Sequence, residues 1–135
     1  MATLTWNQAC NVGVQSIDDQ HGALLDALNE LRSALLKGSE SKTVRTMLRQ
    51  VRELLEMHVA SEEQMLARAG YPKLEAHRAE HKKLLARLAL YDSRFESRQS
   101  DSVFELVEYM RKWFTSHTAV SGKVYGPWLL LQGVR

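Results

Sequence analysis

Five histidines, His21, His58, His77, His81 and His117, account for all the imidazole in the chain, and Glu62 follows His58 at a four-residue interval. Side chains four apart on an α-helix lie about 6 Å apart along the axis and project in nearly one direction. His58 with Glu62, and His77 with His81, can therefore each grip a metal ion. Either pair alone reads as well as polar residues on a helix surface or a hydrogen-bonded core histidine. Together they fall on the apolar stripes of their segments, and His21 and His117 also have apolar neighbours. Hiding five imidazoles costs about 1–3 kcal/mol for each polar group left without a partner, so such a core needs something to satisfy them. A metal does this. Imidazole and carboxylate donors without thiolate suit iron, zinc, copper or nickel, and a carboxylate between two histidine-bearing helices can bridge two ions.

The segments carrying these donors read as helices, because Gly38-Ser39-Glu40-Ser41, Gly70-Tyr71-Pro72 and Ser97-Arg98-Gln99-Ser100 interrupt the apolar periodicity. The first runs from about 18 to 37, with Leu24, Leu25, Leu28, Leu31 and Leu35 at three- and four-residue steps. The second runs from about 41 to 69, with Ser41 as candidate cap and Gly70 as a left-handed terminus. The third opens at Pro72 and aligns Leu74, His77, His81, Leu84, Leu88 and Tyr91. The fourth opens with the capping-box pattern Ser102-Val103-Phe104-Glu105 and continues to His117. Four long helices with short connections predict an all-α, up-down-up-down four-helix bundle with an N-terminal arm and a short C-terminal segment. At 135 residues the chain is expected to form a single domain over 1–135.

Composition narrows the function classes. The net charge is only +2, with 18 Lys+Arg interleaved among 16 Asp+Glu, which points to neither nucleic acid nor an anionic membrane. Cys10 is the single cysteine, so no disulfide forms within the chain. The apolar run Trp128-Leu129-Leu130-Leu131 is too short to span a bilayer and is expected to pack on the bundle. No basic-then-apolar leader opens the chain, so a cytoplasmic protein is expected.

The chain resembles bacterial hemerythrin-like proteins, members of the hemerythrin family. The matching pieces are Trp6, Asn11-Val12-Gly13-Val14, Ile17-Asp18-Asp19-Gln20-His21, His58-Val59-Ala60-Ser61-Glu62-Glu63, His77-Arg78-Ala79-Glu80-His81, and Trp113-Phe114-Thr115-Ser116-His117 with Lys123 and Tyr125. The resemblance implies a non-haem di-iron site with an oxo or hydroxo bridge. His77, His81 and His117 would hold one iron, His21 and His58 the other, and Glu62 would bridge them. It further implies dioxygen binding at the two-histidine iron, in a pocket of Leu24, Val59, Trp113, Phe114 and Thr118. Dioxygen or small anions are the expected partners.

One position departs from the family pattern, which places a second bridging aspartate five residues after the last histidine. Here that position is Gly122, with Lys123 and Tyr125 still in register. Glycine offers no donor, so an opened coordination position is expected, filled by water, hydroxide or a small exogenous carboxylate. Alternatives are that Gly122 caps the fourth helix while Glu63 or Asp18 moves in, or that the second metal is lost. Three functional classes stay open: an oxygen carrier, store or sensor; a di-iron enzyme with peroxidase or oxidase activity; and a metal-binding module with impaired oxygen chemistry. His77-Arg78-Ala79-Glu80-His81 also fits the inverted zinc-protease signature, which would leave His21, His58 and His117 unexplained.

Overall fold

The computed structural model describes the backbone of residues 13–96, 101–117 and 122–133. Five helices follow in order: α1 (Gln15–Leu36), α2 (Ser41–Arg68), α3 (Leu74–Glu96), α4 (Asp101–Ser116) and α5 (Gly122–Leu131), with no strand among the described residues. Each of the first four packs on its neighbours in sequence, and α4 closes the ring on α1. The four-helix bundle follows from short connections joining long amphipathic segments, whose apolar faces have only one another to pack against.

Connections obey the glycine logic of the sequence. Gly70 has φ +70°, its N–H donates to the Ala67 carbonyl, and Tyr71 N–H donates to the Leu66 carbonyl. These paired bonds satisfy the last carbonyls of α2 and turn the chain so that Tyr71 packs beside Leu66. Gly38, also at φ +70°, ends α1 with the same pair of bonds from Gly38 and Ser39.

The helix starts differ from expectation. α1 begins at Gln15, earlier than about 18, with Asp18 in its first turn accepting from Gly13 N–H at 3.2 Å. A carboxylate there neutralises the exposed amides that a cap would otherwise serve. At α2 the residue before the helix is Glu40 rather than Ser41, and it makes no side-chain cap. Pro72 lies in the turn before α3, and α4 starts at Asp101, one residue ahead of the expected capping box. His117 sits just past α4 in a wider π turn.

The C-terminal segment is a helix, and it packs on the bundle as expected: Tyr125 and Leu129 are fully buried beside Val14, Ile17, Leu66 and Tyr71. No helix of the described residues is long and apolar enough to cross a membrane. Buried apolar side chains form two clusters. The larger runs from Leu24 and Leu55 through Leu84 to Phe114; the smaller holds Ile17, Leu66, Tyr71, Tyr125 and Leu129. Along α1, α2 and α3 the histidines fall between the two, with His21 between Ile17 and Leu24 and His58 and Glu62 between Leu55 and Leu66. The polar layer is thus closed above and below by hydrocarbon.

Candidate metal centre

Glu62, fully buried on α2, stands at the middle of this layer. Its Oε1 contacts His77 Nε2 and lies 3.3 Å from His81 Nε2, both on α3. Its Oε2 lies 2.9 Å from His58 Nε2, accepts from His117 Nε2 at 3.0 Å, and is 3.9 Å from His21 Nε2. All five rings are 0–5% exposed. Two groups result that could hold a metal: His21, His58, Glu62 and His117, and Glu62, His77, His81 and His117. All six sequence-derived donors converge, and Glu62 belongs to both groups. His117 also belongs to both, so the division into a three-histidine and a two-histidine ion comes from the resemblance alone.

The chemistry of the donors fits a cation. Gln20 Nε2 donates to Ser61 Oγ at 3.0 Å, which presents Gln20 Oε1 to His58 Nδ1 at 3.0 Å. An amide oxygen only accepts, so His58 carries a proton on Nδ1 and turns its Nε2 inward. That Nε2 lies 2.9 Å from Glu62 Oε2 and 3.2 Å from the Nε2 atoms of His21 and of His117. Three imidazole nitrogens and a carboxylate oxygen this close together are a donor set that one cation would draw in. Adjacent donors on one first-row ion, each about 2.0–2.2 Å from it, stand about 3 Å apart. On the other side, His81 Nδ1 donates to Glu63 Oε2 at 2.9 Å, while its buried Nε2 points at the cluster without a hydrogen-bond partner.

Electrostatics prepare the same state. Burial lowers the His21 pKa to about 2, helped by the neighbouring His58 and His117, so its ring is neutral and can donate a lone pair. Burial likewise lowers His117, outweighing the pull of Glu62. Burial alone would raise Glu62, yet His117 and the hydrogen bonds from His117, His58 and His77 hold it well below the usual carboxylate range. His81 goes the other way: burial lowers it, but Glu62 and Glu63 outweigh that and raise it.

Neither alternative carboxylate moves in. Glu63 serves His81 Nδ1 and pairs with Arg78 at 3.3 Å, while Asp18 accepts from Gly13. Gly122 begins α5 rather than capping α4. Glu80, the glutamate of the zinc-protease reading, is exposed and belongs to neither donor group. Of the expected oxygen-pocket residues, Leu24, Val59 and Phe114 are buried in the larger cluster, and the Phe114 ring meets His21 edge-on at 5.8 Å. Trp113 is half-buried, stacks on His117 at 4.4 Å with planes 14° apart, and borders a cleft of about 140 Å³ between α3 and α4. Thr118 lies outside the described residues, as do the arm residues Trp6, Cys10, Asn11 and Val12.

Sequence reasoning assigned no role to Gln20 and Tyr125 and read Glu63 as a replacement ligand, whereas all three orient the donors. Tyr125 is fully buried and donates its hydroxyl to Glu62 Oε2 at 2.9 Å. Burial and the Glu62 charge push its pKa well up, keeping the proton on the phenol. A signal existed for each: Gln20 and Glu63 adjoin donors in sequence, and Tyr125 is one helical turn beyond Gly122.

A helical bundle holding a closed layer of imidazoles about one carboxylate defines a histidine-rich metal-binding protein. Residues 12–129 match the hemerythrin HHE cation binding domain. A bacteriohemerythrin of Methylococcus capsulatus is 32% identical over 132 residues, covering 96% of this chain and 98% of that protein. One from Stenotrophomonas maltophilia is 30% identical, covering 93% and 80% respectively. Crystal structures of a mutant and a wild-type hemerythrin superpose with TM-scores of 0.85 at 30% and 29% identity, covering 96% and 95% of this chain and 98% of each of theirs. The chain belongs to the hemerythrin family.

Proposed function

We propose that the protein binds dioxygen at a non-haem di-iron centre, as a carrier, store or sensor. The observation behind this reading is that Glu62 presents one oxygen to each of two donor groups, as a carboxylate joining two ions must. His77, His81 and His117 would hold one iron, and His21 and His58 the other. Bound ferrous iron supplies the electrons and the open coordination position that dioxygen requires. The chain supplies the rest. Gln20 fixes the His58 tautomer with Nε2 inward, and Glu63 does the same for His81. Leu24, Val59 and Phe114 keep bulk water from the His21 and His58 side, and neutral His21 costs no proton release on loading. Position 122, without a carboxylate, leaves room for water or a small carboxylate such as acetate.

The test is metal content and the visible spectrum of protein from iron-supplemented cells, before and after anaerobic reduction and exposure to air. Near two irons per chain, with absorption bands that appear on air exposure and reverse when oxygen is removed, supports the reading. One iron or none, with no such bands, refutes it. Many turnovers of a reducing dye with peroxide, lost in His58→Ala, would assign an enzyme instead.

A further inference from the structure

Only one side chain from α5 is recorded at the centre among the described residues, and it is the Tyr125 phenol. It lies three residues after Gly122, so the two positions share one side of the helix a turn apart. Where the family pattern puts a bridging carboxylate on this side, the chain has glycine, and the first polar group that follows on the same side reaches Glu62. Every other polar contact recorded for the Glu62 oxygens is a histidine Nε2.

With one carboxylate shared between the two donor groups, the orientation of Glu62 sets where its oxygens meet each set of histidines. A carboxylate oxygen carries two lone pairs, and one given to a metal leaves one for a hydrogen bond. His77 reaches Oε1 from α3, and the Tyr125 hydroxyl reaches Oε2 from α5. The phenol stays put: its ring meets His77 edge-on at 5.2 Å and Tyr71 at 6.5 Å within the smaller apolar cluster. We infer that Tyr125, which the family pattern carries beside the aspartate, is here the positioning residue that holds Glu62 from α5 without the help of a second carboxylate at 122. This rests on the di-iron reading and deepens it.

The experiment is anaerobic titration of the metal-free protein with ferrous iron, reading stoichiometry and dissociation constants, in four chains: native, Tyr125→Phe, Gly122→Asp and the double variant. Phenylalanine keeps the ring and removes only the hydroxyl, an acidic residue is favoured in the first turn of a helix, and a thermal melt of each metal-free variant checks that the fold is kept. Loss of an outer partner of a metal ligand weakens affinity about 10–100-fold, so Tyr125→Phe should weaken the second iron by that factor. In the Gly122→Asp background the same change should cost less than about threefold, because the new carboxylate holds the centre from α5. Added acetate should partly rescue Tyr125→Phe. Unchanged binding in Tyr125→Phe overturns the inference, as does an equal loss in both backgrounds, which would make the hydroxyl a general structural contact. A native chain that takes up no iron overturns the di-iron reading, and the inference with it; either of the former results with an iron-loaded native chain leaves that reading standing.

Discussion

Replacing Glu62 by glutamine should separate what the layer does for stability from what it does for metal. In the metal-free protein the carboxylate accepts charge-assisted bonds from Tyr125 at 2.9 Å and His117 at 3.0 Å, and contacts His77. An amide keeps an oxygen acceptor, and weakening these bonds from charged to neutral costs about 1 kcal/mol each. Against that, the amide removes a buried charge, whose desolvation costs several kcal/mol even after relaxation. Its NH2 can also donate to His58 Nε2, which lies 2.9 Å from the Glu62 carboxylate. The two sides nearly cancel, so Glu62→Gln should change the stability of the metal-free protein by no more than about 2 kcal/mol, in either direction.

Metal binding should respond far more strongly, because Glu62 is shared by both donor groups. Iron at a hundred times its dissociation constant stabilises the native fold by about 2.7 kcal/mol. At this chain length that is a rise in melting temperature of about 8–14 °C. The variant should gain less than about 3 °C under the same conditions. Thermal melts followed by circular dichroism, with and without ferrous iron under anaerobic conditions, read both quantities from one sample. A variant that loads like the native chain refutes the bridging role. A metal-free variant that fails to fold refutes the charge balance and makes Glu62 a structural acceptor.

Gln20→Leu releases the His58 proton to either nitrogen and should weaken iron binding about 10–100-fold in a titration, with little change in the melt of the metal-free protein. Gly70→Ala should cost about 1–2 kcal/mol in urea unfolding, all of it backbone strain at φ +70°, since the added Cβ meets no atom within 4 Å. Stability of the metal-free protein should fall with acid: His21, lowered from 6.5 to about 2, contributes stability that is present above 6.5 and lost as pH falls towards 2. From pH 7.5 to 5.5 that loss is about 1.4 kcal/mol in urea melts. Lowered His117 adds to it, while raised His81 opposes it, contributing fully below 6.5 and losing its contribution as pH rises through its folded value. A flat profile over this range refutes neutral burial of His21 and His117.

The donors were legible because helices convert spacing into direction. His58 and Glu62, and His77 and His81, needed only a four-residue step and an apolar stripe to be placed together. The bundle was legible for the same reason, down to Gly38 and Gly70 at its turns. What the sequence hid depends on how helices rotate against each other. Gln20 adjoins His21 in sequence yet serves His58 across the α1/α2 seam, and Glu63 adjoins Glu62 yet serves His81 on α3. Tyr125 was visible only as a register mark, because its reach to Glu62 depends on the angle at which α5 returns after His117. Glu63 illustrates the limit: as a spare carboxylate it read as a replacement ligand, whereas Arg78 and His81 hold it one shell out.

The missing carboxylate also changes the charge of the layer. On the di-iron reading, two ferrous ions bring four positive charges into a space closed on both sides by apolar clusters. Five histidines contribute none, and Glu62 returns one negative charge. Uncompensated charge in such surroundings is costly, and each ligand that enters as an anion lowers that cost. Glu63 compensates at one remove, through His81, but only on the α3 side. On the α1 and α2 side the partner recorded for His58 is the neutral amide of Gln20, and Tyr125 holds its proton. The resemblance puts dioxygen at the His21 and His58 ion, where position 122 would have supplied a second carboxylate. A hydroxide, a small carboxylate or reduced dioxygen would each be drawn to that side for one physical reason. Glycine at 122 thus makes the centre more dependent on an external anion, while Tyr125 fixes the one bridge that remains.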